Sequence, residues 1–219
     1  MIVFDLDDTL YLERDFAFSG YRHVDAWVAN NHGIPGFGAT CRELFASGER
    51  RNIFDRACAS HGISATPDLI GALVAEYRGH APQISLCPDA DQFLARTENA
   101  APFGLITDGP EHTQMAKVRA LALDQCIQHI RATGSWPQGF GKPHPRAFEE
   151  MEQLAPPKSH MVYIADNPAK DFITPKARGW LTIQIRRTGA IHSPLAPDLD
   201  HAAQIEIQSM EELDAALPS

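Results

Sequence analysis

Short apolar strands alternate with helices along most of this chain, and this alternation restricts the fold more than any other feature. Such alternation is typical of a parallel sheet with helices on both faces, and these sheets bind ligands at the carboxyl ends of their strands. After an opening strand at 2–4, the predicted strands are 103–107, 127–130, 161–165, 181–185 and 204–207, and the predicted helices are 111–121, 145–154, 169–178 and 210–217. The sequence therefore predicts an α/β fold with a Rossmann-like parallel sheet core.

An all-helical segment interrupts this alternation directly after the first strand. Between about Asp15 and His80, apolar residues recur at helical spacing, glycines separate the runs, and no stretch has the alternation of a strand. Thr66-Pro67-Asp68 is typical of a helix N-terminus with Pro at its first position. We therefore predict two domains, a sheet domain of residues 1–13 and 84–219 and an inserted helical domain of residues 14–83.

Three carboxylates, those of Asp5, Asp7 and Asp8, follow the first strand, with no basic residue beside them. Asp5 and Asp7 stand two residues apart, so along an ideal strand their side chains face the same way. Carboxylates crowded at the end of a buried strand repel one another, and a divalent cation with oxygen ligands is the usual offset. The alternative is an acidic loop that follows an edge strand by chance.

The later strand ends carry further polar groups. Thr107 and Asp108 precede a Gly and a helix, which together form a natural phosphate cradle. Lys142 stands at the head of a helix, where the helix dipole disfavours a cation that has no anionic partner. Asp166 is a candidate metal ligand, and Asp171 is placed to orient it or to pair with Lys142. Taken singly, the Thr and these last two Asp residues also fit an ordinary helix N-cap, but together the strand ends supply what phosphoryl transfer through an aspartyl-phosphate needs.

Composition restricts the environment and the partners. The chain has 219 residues, of which 44% are hydrophobic, and its formal net charge of −9 argues against a nucleic-acid or acidic-membrane surface. Its four cysteines form no CxxC pair, which is typical of reduced thiols in a cytoplasmic protein. Met1 runs straight into a strand, and no apolar run has the length of a membrane span. We expect a cytoplasmic monomer or homodimer that binds neither nucleic acid nor membrane.

These motifs give the chain a family resemblance. It resembles the haloacid dehalogenase (HAD) superfamily of phosphohydrolases, in the subgroup with a helical (C1) cap between its first two motifs. The segments similar to its four motifs are Phe4-Asp5-Leu6-Asp7-Asp8-Thr9-Leu10, Ile106-Thr107-Asp108-Gly109, Gly141-Lys142-Pro143 and the run from Ala165-Asp166-Asn167 to Asp171. Ala165 stands where the family more often has Gly, and Asp108 stands where Asn is common. Neither change replaces a side chain that the chemistry needs.

The resemblance implies a role for each acidic residue of the site. Asp5 would attack phosphorus and become an aspartyl-phosphate. Asp7 would protonate the leaving oxygen and later deprotonate the attacking water, which requires surroundings that raise its pKa. Mg²⁺ would be held by Asp5, the backbone carbonyl of Asp7 and Asp166, with Asp171 supporting these ligands from behind.

The resemblance also implies the phosphate contacts and a mobile segment. Thr107 and the backbone N–H of Asp108 would bind phosphoryl oxygens, and Lys142 would neutralise charge on the phosphate and the nucleophile. Tyr11 and Glu13, just past the first motif, would lie in a hinge or flap that lets the cap move.

Asp7 separates the reactions of the superfamily. Its dehalogenases lack an acid at that position, because halide leaves without a proton, whereas phosphatases and phosphomutases keep it. The expected activity is therefore Mg²⁺-dependent hydrolysis of a small phosphorylated metabolite, and a phosphomutase remains the alternative.

Two further alternatives come from outside the enzymes. A response-regulator receiver also places acids, a Thr and a Lys at the strand ends of a parallel sheet and binds Mg²⁺, but it has no helical insert after its first strand. A catalytically idle core that serves as a binding module is the other. Steady turnover of an aryl phosphate would favour the enzyme, and a single stoichiometric phosphorylation would favour the receiver.

Overall fold

The computed structural model describes residues 1–96 and 102–217. The chain divides into two compact units, one formed by Met1–Arg14 with Ile84–Ser219 and the other by Asp15–Gln83. The predicted sheet domain includes residues 97–101 and 218–219, which lie outside the described residues. The assignment of these units as domains stays a prediction.

The first unit contains a parallel sheet. In the described part of the chain its strands are β1 (Ile2–Phe4), β2 (Phe103–Thr107), β3 (His129–Ala132), β4 (Val162–Ala165), β5 (Leu181–Ile185) and β6 (Ile205–Ile207). They lie in the order β3-β2-β1-β4-β5-β6, and every neighbouring pair is parallel. The predicted α/β class with a Rossmann-like sheet is confirmed.

Burial explains why the central strands form where they do. Every side chain of β2 and β4 is buried, as expected for parallel strands that are covered on both faces. Val3 and Ile106 belong to one core cluster with Phe148, Met151 and Tyr163. Since β1 pairs with β2 on one side and β4 on the other, the residues that follow these three strands meet at one edge of the sheet.

The second unit is built from helices joined by short loops. Its helices are α1 (Glu13–His32, which begins in the first unit), α2 (Phe37–Ala46), α3 (Ile53–Ser60) and α4 (Pro67–Gly79), and residues 15–83 contain no strand. The Thr66 hydroxyl accepts a hydrogen bond from Leu69 N at 3.3 Å and so caps α4. The ring of Tyr21 packs against those of Phe54 and Tyr77 in the interior of this unit. The role of this second unit as a cap domain stays a prediction.

Short helices complete the first unit. They are α5 (Pro88–Ala95), α6 (Glu111–Ala120), α7 (Arg146–Leu154), α8 (Ile173–Ala177) and α9 (Leu213–Ala216). Helix α5 was not predicted from the sequence, because its buried face consists of only Ala90, Phe93 and Leu94. None of the described helices is both long and apolar enough to cross a membrane.

Three predicted elements differ from the structure by more than one residue. Helix α8 begins at Ile173, not at 169, because the Asn167 side chain accepts a hydrogen bond from Ala169 N at 3.1 Å and forms a turn that occupies the start of the predicted helix. Strand β3 lies two residues later than predicted, since Ile127 N bonds back to Leu123 O at 2.8 Å. The predicted helix 210–217 is a 3₁₀ turn followed by α9.

Candidate active site

The sheet brings the predicted site residues to one edge. Asp5 directly follows β1, Thr107 is the last residue of β2, and Asp166 directly follows β4. The strand order reverses between β1 and β4, because the chain builds β2 and β3 on one side of β1 and the later strands on the other. Parallel sheets bind ligands at such a reversal, so these residues stand where a binding site is expected.

Three buried carboxylates lie close together at this reversal. One oxygen from each of Asp5, Asp166 and Asp171 lies within 4.8 Å of the other two. Burial raises the pKa of Asp5, with Lys142 opposing the rise, and burial together with the charge of Asp5 raises the pKa of Asp166. The three carboxylates therefore repel one another in a site that water reaches poorly.

Lys142 neutralises part of this charge. Its Nζ lies 2.6 Å from Asp5 Oδ1 and 2.8 Å from Asp171 Oδ1, and it donates a hydrogen bond to the Tyr163 hydroxyl at 3.0 Å. The side chain is fully buried, which alone would lower the pKa of Lys142, but the charges of Asp171 and Asp5 raise it well above its ordinary value. Lys142 is therefore a buried cation whose anionic partners are two carboxylates.

The carboxylate cluster fits a divalent cation. When Asp5, Asp166 and Asp171 are ionised, the single ammonium of Lys142 leaves two negative charges in the cluster. Asp166 Oδ2 is buried and has no hydrogen-bond partner among the described residues. Asp171 is already held, because it pairs with Lys142 and its Oδ2 accepts from Asn167 N at 3.1 Å. Hard oxygen ligands with this excess charge suit Mg²⁺, and Asp171 is placed to orient the ligands.

The end of β2 supplies a hydroxyl and a tightly held loop. Thr107 is buried, and its Oγ1 has no hydrogen-bond partner among the described residues. The Asp108 carboxylate accepts hydrogen bonds from Thr133 Oγ1 at 2.8 Å, Lys142 N at 3.1 Å and Lys170 Nζ at 2.8 Å. Burial alone would raise the pKa of Asp108, but the charges of Lys142 and Lys170 lower it to about 2. Its side chain thus fastens the segments after β3 and β4 to the end of β2.

Asp7 belongs to a second group of side chains. Its Oδ1 accepts a hydrogen bond from the Tyr11 hydroxyl and lies 2.6 Å from Lys117 Nζ, and its Oδ2 accepts from Gln114 Nε2 at 3.1 Å. Burial alone would raise the pKa of Asp7, but the Lys117 charge and these hydrogen bonds hold it below its ordinary value. The expectation that its surroundings raise the pKa of Asp7 is therefore wrong for this structure, because three donors stabilise the ionised form.

Three polar residues of the site, Gln114, Lys117 and Lys170, were not predicted from the sequence. The first two lie three residues apart on α6, and both belong to its buried face with Val118. The apolar spacing alone predicts Met115 and Val118 as the inward face of this helix, although Met115 is only half-buried. The spacing of Gln114 and Lys117, which places both on one face of the helix, was the signal from which this pair could have been predicted.

Tyr11 and Glu13 also lie at this site. Tyr11 is fully buried, and Glu13 Oε2 lies 3.8 Å from Nε2 of His192, a residue of the loop after β5. The Asp8 carboxylate accepts hydrogen bonds from Glu13 N at 2.9 Å and from Ile191 N at 2.6 Å. Asp8 thereby fastens that loop to the start of α1, while the hinge role of Tyr11 and Glu13 stays a prediction.

A cavity of about 230 Å³ connects the carboxylate cluster with the group of side chains around Asp7. Asp5, Asp7 and Asp166 all line it, and so does Lys170. The buried Thr107 directly precedes Asp108, which lines the cavity. The candidate nucleophile and the candidate acid therefore open onto the same space.

A parallel sheet with buried acids and a buried lysine at its switch point defines a Rossmann-like α/β protein with an acidic candidate site. Within that class, a family model for haloacid dehalogenase-like hydrolases matches residues 1–177. The chain belongs to this family. No curated protein sequence matches the chain at a significant level.

Solved structures of the family share the fold. YfnB from Bacillus subtilis, described as a HAD hydrolase and solved with magnesium bound, is 20% identical, covers 99% of this chain and 97% of its own, and has a TM-score of 0.63. A protein from Thermotoga maritima described as a β-phosphoglucomutase is 19% identical over 98% of this chain and 97% of its own, with a TM-score of 0.68. The L-2-haloacid dehalogenase from Xanthobacter autotrophicus is 14% identical over 98% and 96%, with a TM-score of 0.61. At these identities the likeness shows the fold alone.

Proposed function

We propose that this protein is a Mg²⁺-dependent phosphatase that hydrolyses a small phosphorylated metabolite through an aspartyl-phosphate on Asp5. The observation that carries the proposal is the cavity that Asp5, Asp7 and Asp166 share. A second carboxylate beside the nucleophile can protonate a leaving oxygen, whereas a leaving halide needs no proton. This favours a phosphatase over the dehalogenases among the structural relatives.

The residues of the site divide the reaction between them. An Asp5 oxygen forms a bond to phosphorus while the bond from phosphorus to the leaving oxygen breaks. Thr107 Oγ1 and the Asp108 N–H bind phosphoryl oxygens, and Lys142, 2.6 Å from Asp5, balances the charge around the nucleophile. Mg²⁺, held by Asp5, Asp166 and the backbone carbonyl of Asp7, would supply further positive charge at the phosphoryl group.

Asp7 handles the protons of both steps. In its protonated form it gives a proton to the leaving oxygen, and in its ionised form it takes a proton from the water that attacks the aspartyl-phosphate. Lys117, Tyr11 and Gln114 all donate hydrogen bonds to Asp7, and these bonds favour its ionised form. This supports its part in the second step, in which the water oxygen bonds to phosphorus and the Asp5 carboxylate is released.

The remaining features of the function are proposed on less direct grounds. A cavity of about 230 Å³ is smaller than the pockets that hold drug-sized ligands, which span roughly 300–1,000 Å³, and this supports a small substrate. The four cysteines are free, as the proposed cytoplasmic location would require. A monomer or homodimer without nucleic-acid or membrane partners stays a prediction.

The proposal is tested with a panel of phosphorylated metabolites, with and without Mg²⁺, and with the variant Asp5→Asn. The wild type is expected to release phosphate steadily only when Mg²⁺ is present. Asp5→Asn should lower the rate by at least about a thousandfold, because an amide cannot form the intermediate, while its circular dichroism spectrum stays that of the wild type. With an activated substrate such as p-nitrophenyl phosphate, whose leaving group needs no proton, Asp7→Ala should accumulate phosphoenzyme that acid quenching traps.

Other results would identify the alternatives. Substantial activity in Asp5→Asn would show that Asp5 is not the nucleophile. One stoichiometric phosphorylation without turnover would indicate a receiver-like protein. Transfer of the phosphoryl group to a second hydroxyl of the substrate, without release of phosphate, would indicate a phosphomutase.

A further inference from the structure

The hydrogen bonds of Asp7 distinguish its two carboxylate oxygens. Oδ1 receives the Tyr11 hydroxyl and the Lys117 ammonium, the latter at 2.6 Å, whereas among the described residues Oδ2 receives only the Gln114 amide, at 3.1 Å. An ionised carboxylate offers about four lone-pair positions, two on each oxygen. These donors fill both positions on Oδ1 and one on Oδ2. One lone pair of Oδ2 is left for a further proton.

Helix α6 builds this arrangement. Gln114 and Lys117 stand three residues apart, so their side chains leave the same face of the helix, and they are 3% and 4% exposed. The Gln114 amide also donates to the Asp108 carbonyl, which lies in the loop between β2 and α6. One helix face therefore fixes the orientation of Asp7 and contacts the loop that carries the candidate phosphate cradle.

The burial of Lys117 points to a specific purpose. A lysine ammonium removed from water costs several kcal/mol unless a partner compensates it. Here the Lys117 side chain is 5% exposed, and its Nζ lies on Asp7, a residue that lines the cavity. The position opposite Asp7 on an internal helix face would be filled by an apolar residue if packing were its only requirement.

We propose that Lys117 is a positioning residue for the reaction, which acts through Asp7 together with Gln114 and Tyr11. Lys117 anchors Oδ1, so that Oδ2 is the oxygen that exchanges protons with the leaving oxygen and with the attacking water. In the hydrolytic step the water oxygen bonds to phosphorus, the bond from phosphorus to Asp5 breaks, and the proton of the water goes to Asp7 Oδ2. This inference rests on the proposed phosphatase function.

The test compares the two steps in Lys117→Met, a variant that removes the charge but keeps most of the side-chain length. The substrate is p-nitrophenyl phosphate with Mg²⁺, because p-nitrophenolate leaves without needing a proton. We expect the stopped-flow burst of p-nitrophenolate to keep its rate within about threefold. The steady-state rate should fall by about ten- to a hundredfold, part of the 10²–10⁴ that a general base contributes, and acid quenching should trap more phosphoenzyme than in the wild type.

Two further variants separate positioning from a general effect on folding. Tyr11→Phe removes only a hydroxyl from Oδ1, so the variant should fold normally and show the same retained burst with a smaller loss of steady-state rate. Arg119→Met is the matched control, because Arg119 is an exposed cation two residues away on the same helix, and both of its rates should equal those of the wild type.

The outcomes distinguish the inference from the function on which it rests. A wild type without Mg²⁺-dependent turnover and without phosphoenzyme would overturn the phosphatase proposal and the inference together. If the wild type is active, wild-type steady-state rates in Lys117→Met and Tyr11→Phe would overturn the inference but not the phosphatase proposal. The positioning role would also be overturned if these variants lost the burst and the steady-state rate by equal factors, as a general disturbance of the fold would cause.

Discussion

Asp108 shows how a side chain at the site can serve the structure more than the chemistry. Its carboxylate receives hydrogen bonds from Thr133, Lys142 and Lys170, which belong to segments that follow two different strands. Only the backbone N–H of Asp108 has a proposed part in phosphate binding. The ionised side chain instead joins three segments of the sheet edge, and this should make the stability of the protein depend on its charge.

We expect Asp108→Asn to lower stability at neutral pH by about 2 kcal/mol. The pKa of Asp108 is lowered to about 2 from its ordinary 3.8 because Lys142 and Lys170 outweigh the effect of burial. A lowered pKa contributes stability that is complete above pH 4 and is lost as the pH falls towards 2. The gap in unfolding free energy between wild type and Asp108→Asn, measured with urea, should therefore narrow by about 1 kcal/mol from pH 7 to pH 3. A gap that stays constant over this range would contradict the assignment of the charge.

The residues that the sequence revealed at this site share one property. Asp5, Thr107 and Asp166 directly follow or end strands, so the pattern of a parallel sheet is enough to bring them together. Lys117 could not be placed in the same way, because its partner Asp7 lies 110 positions earlier and only the packing of α6 against the end of β1 joins them. The rise in the pKa of Asp7 was wrongly expected for the same reason, since the hydrogen-bond donors that lower this pKa are placed by that packing.

Among the elements, the turn after β3 packs closely against the loop between β2 and α6. A Cβ at Gly134 would lie 1.9 Å from the Gly109 carbonyl oxygen and 2.9 Å from Glu111 N. Since both contacts are with backbone atoms, a side chain at this position forces the loop between β2 and α6 to move. Only glycine allows the turn and this loop to pack together.

Gly134→Ala is therefore expected to affect stability and activity together. Overpacking of this kind costs about 1–3 kcal/mol. Displacement of Thr107 and the Asp108 N–H by a few tenths of an ångström to one ångström should lower kcat by about ten- to a hundredfold. Urea unfolding and steady-state kinetics of the variant provide the two measurements.

Gly71→Ala is the matched control for this substitution. Gly71 lies within α4, and a Cβ there meets no atom within 4 Å. The change should raise stability by about 0.5–1 kcal/mol, because alanine loses less backbone freedom in a helix, and it should leave kcat unchanged. Equal effects of the two substitutions would show that the close approach at Gly134 has no consequence.

The elements themselves were predictable to different degrees. Strands β2 and β5 have the predicted bounds, and both lie in the interior of the sheet. Helix α8 was predicted too long, since side-chain bonding by Asn167 competes with the helix and helical spacing alone does not reveal it. The short α5 carries too few apolar residues to give a helical period.

The molecule as a whole is negatively charged, and part of this charge lies in its interior, in the buried carboxylate cluster. The formal net charge is −9, and three carboxylates meet a single lysine at the centre of the sheet edge. Folding brings these carboxylates together, so part of the free energy gained from the apolar core is offset by their repulsion. A cation that binds the folded chain but not the unfolded chain relieves this repulsion, and its binding free energy adds to the stability of the fold.

Mg²⁺ is therefore expected to stabilise the folded protein in the absence of any substrate. Binding contributes about 1.4 kcal/mol at ten times Kd and about 2.7 kcal/mol at a hundred times Kd, which corresponds to a rise in Tm of about 3–10 °C for a chain of this length. Differential scanning calorimetry with Mg²⁺, and with NaCl at the same ionic strength, separates specific binding from screening. Asp166→Asn should melt at a higher temperature than the wild type without Mg²⁺, because one repelling charge is removed, and should lose most of the Mg²⁺-dependent rise. If the wild type and Asp166→Asn responded equally to Mg²⁺, the ion would bind elsewhere, and the carboxylate cluster would owe its geometry to Lys142 alone.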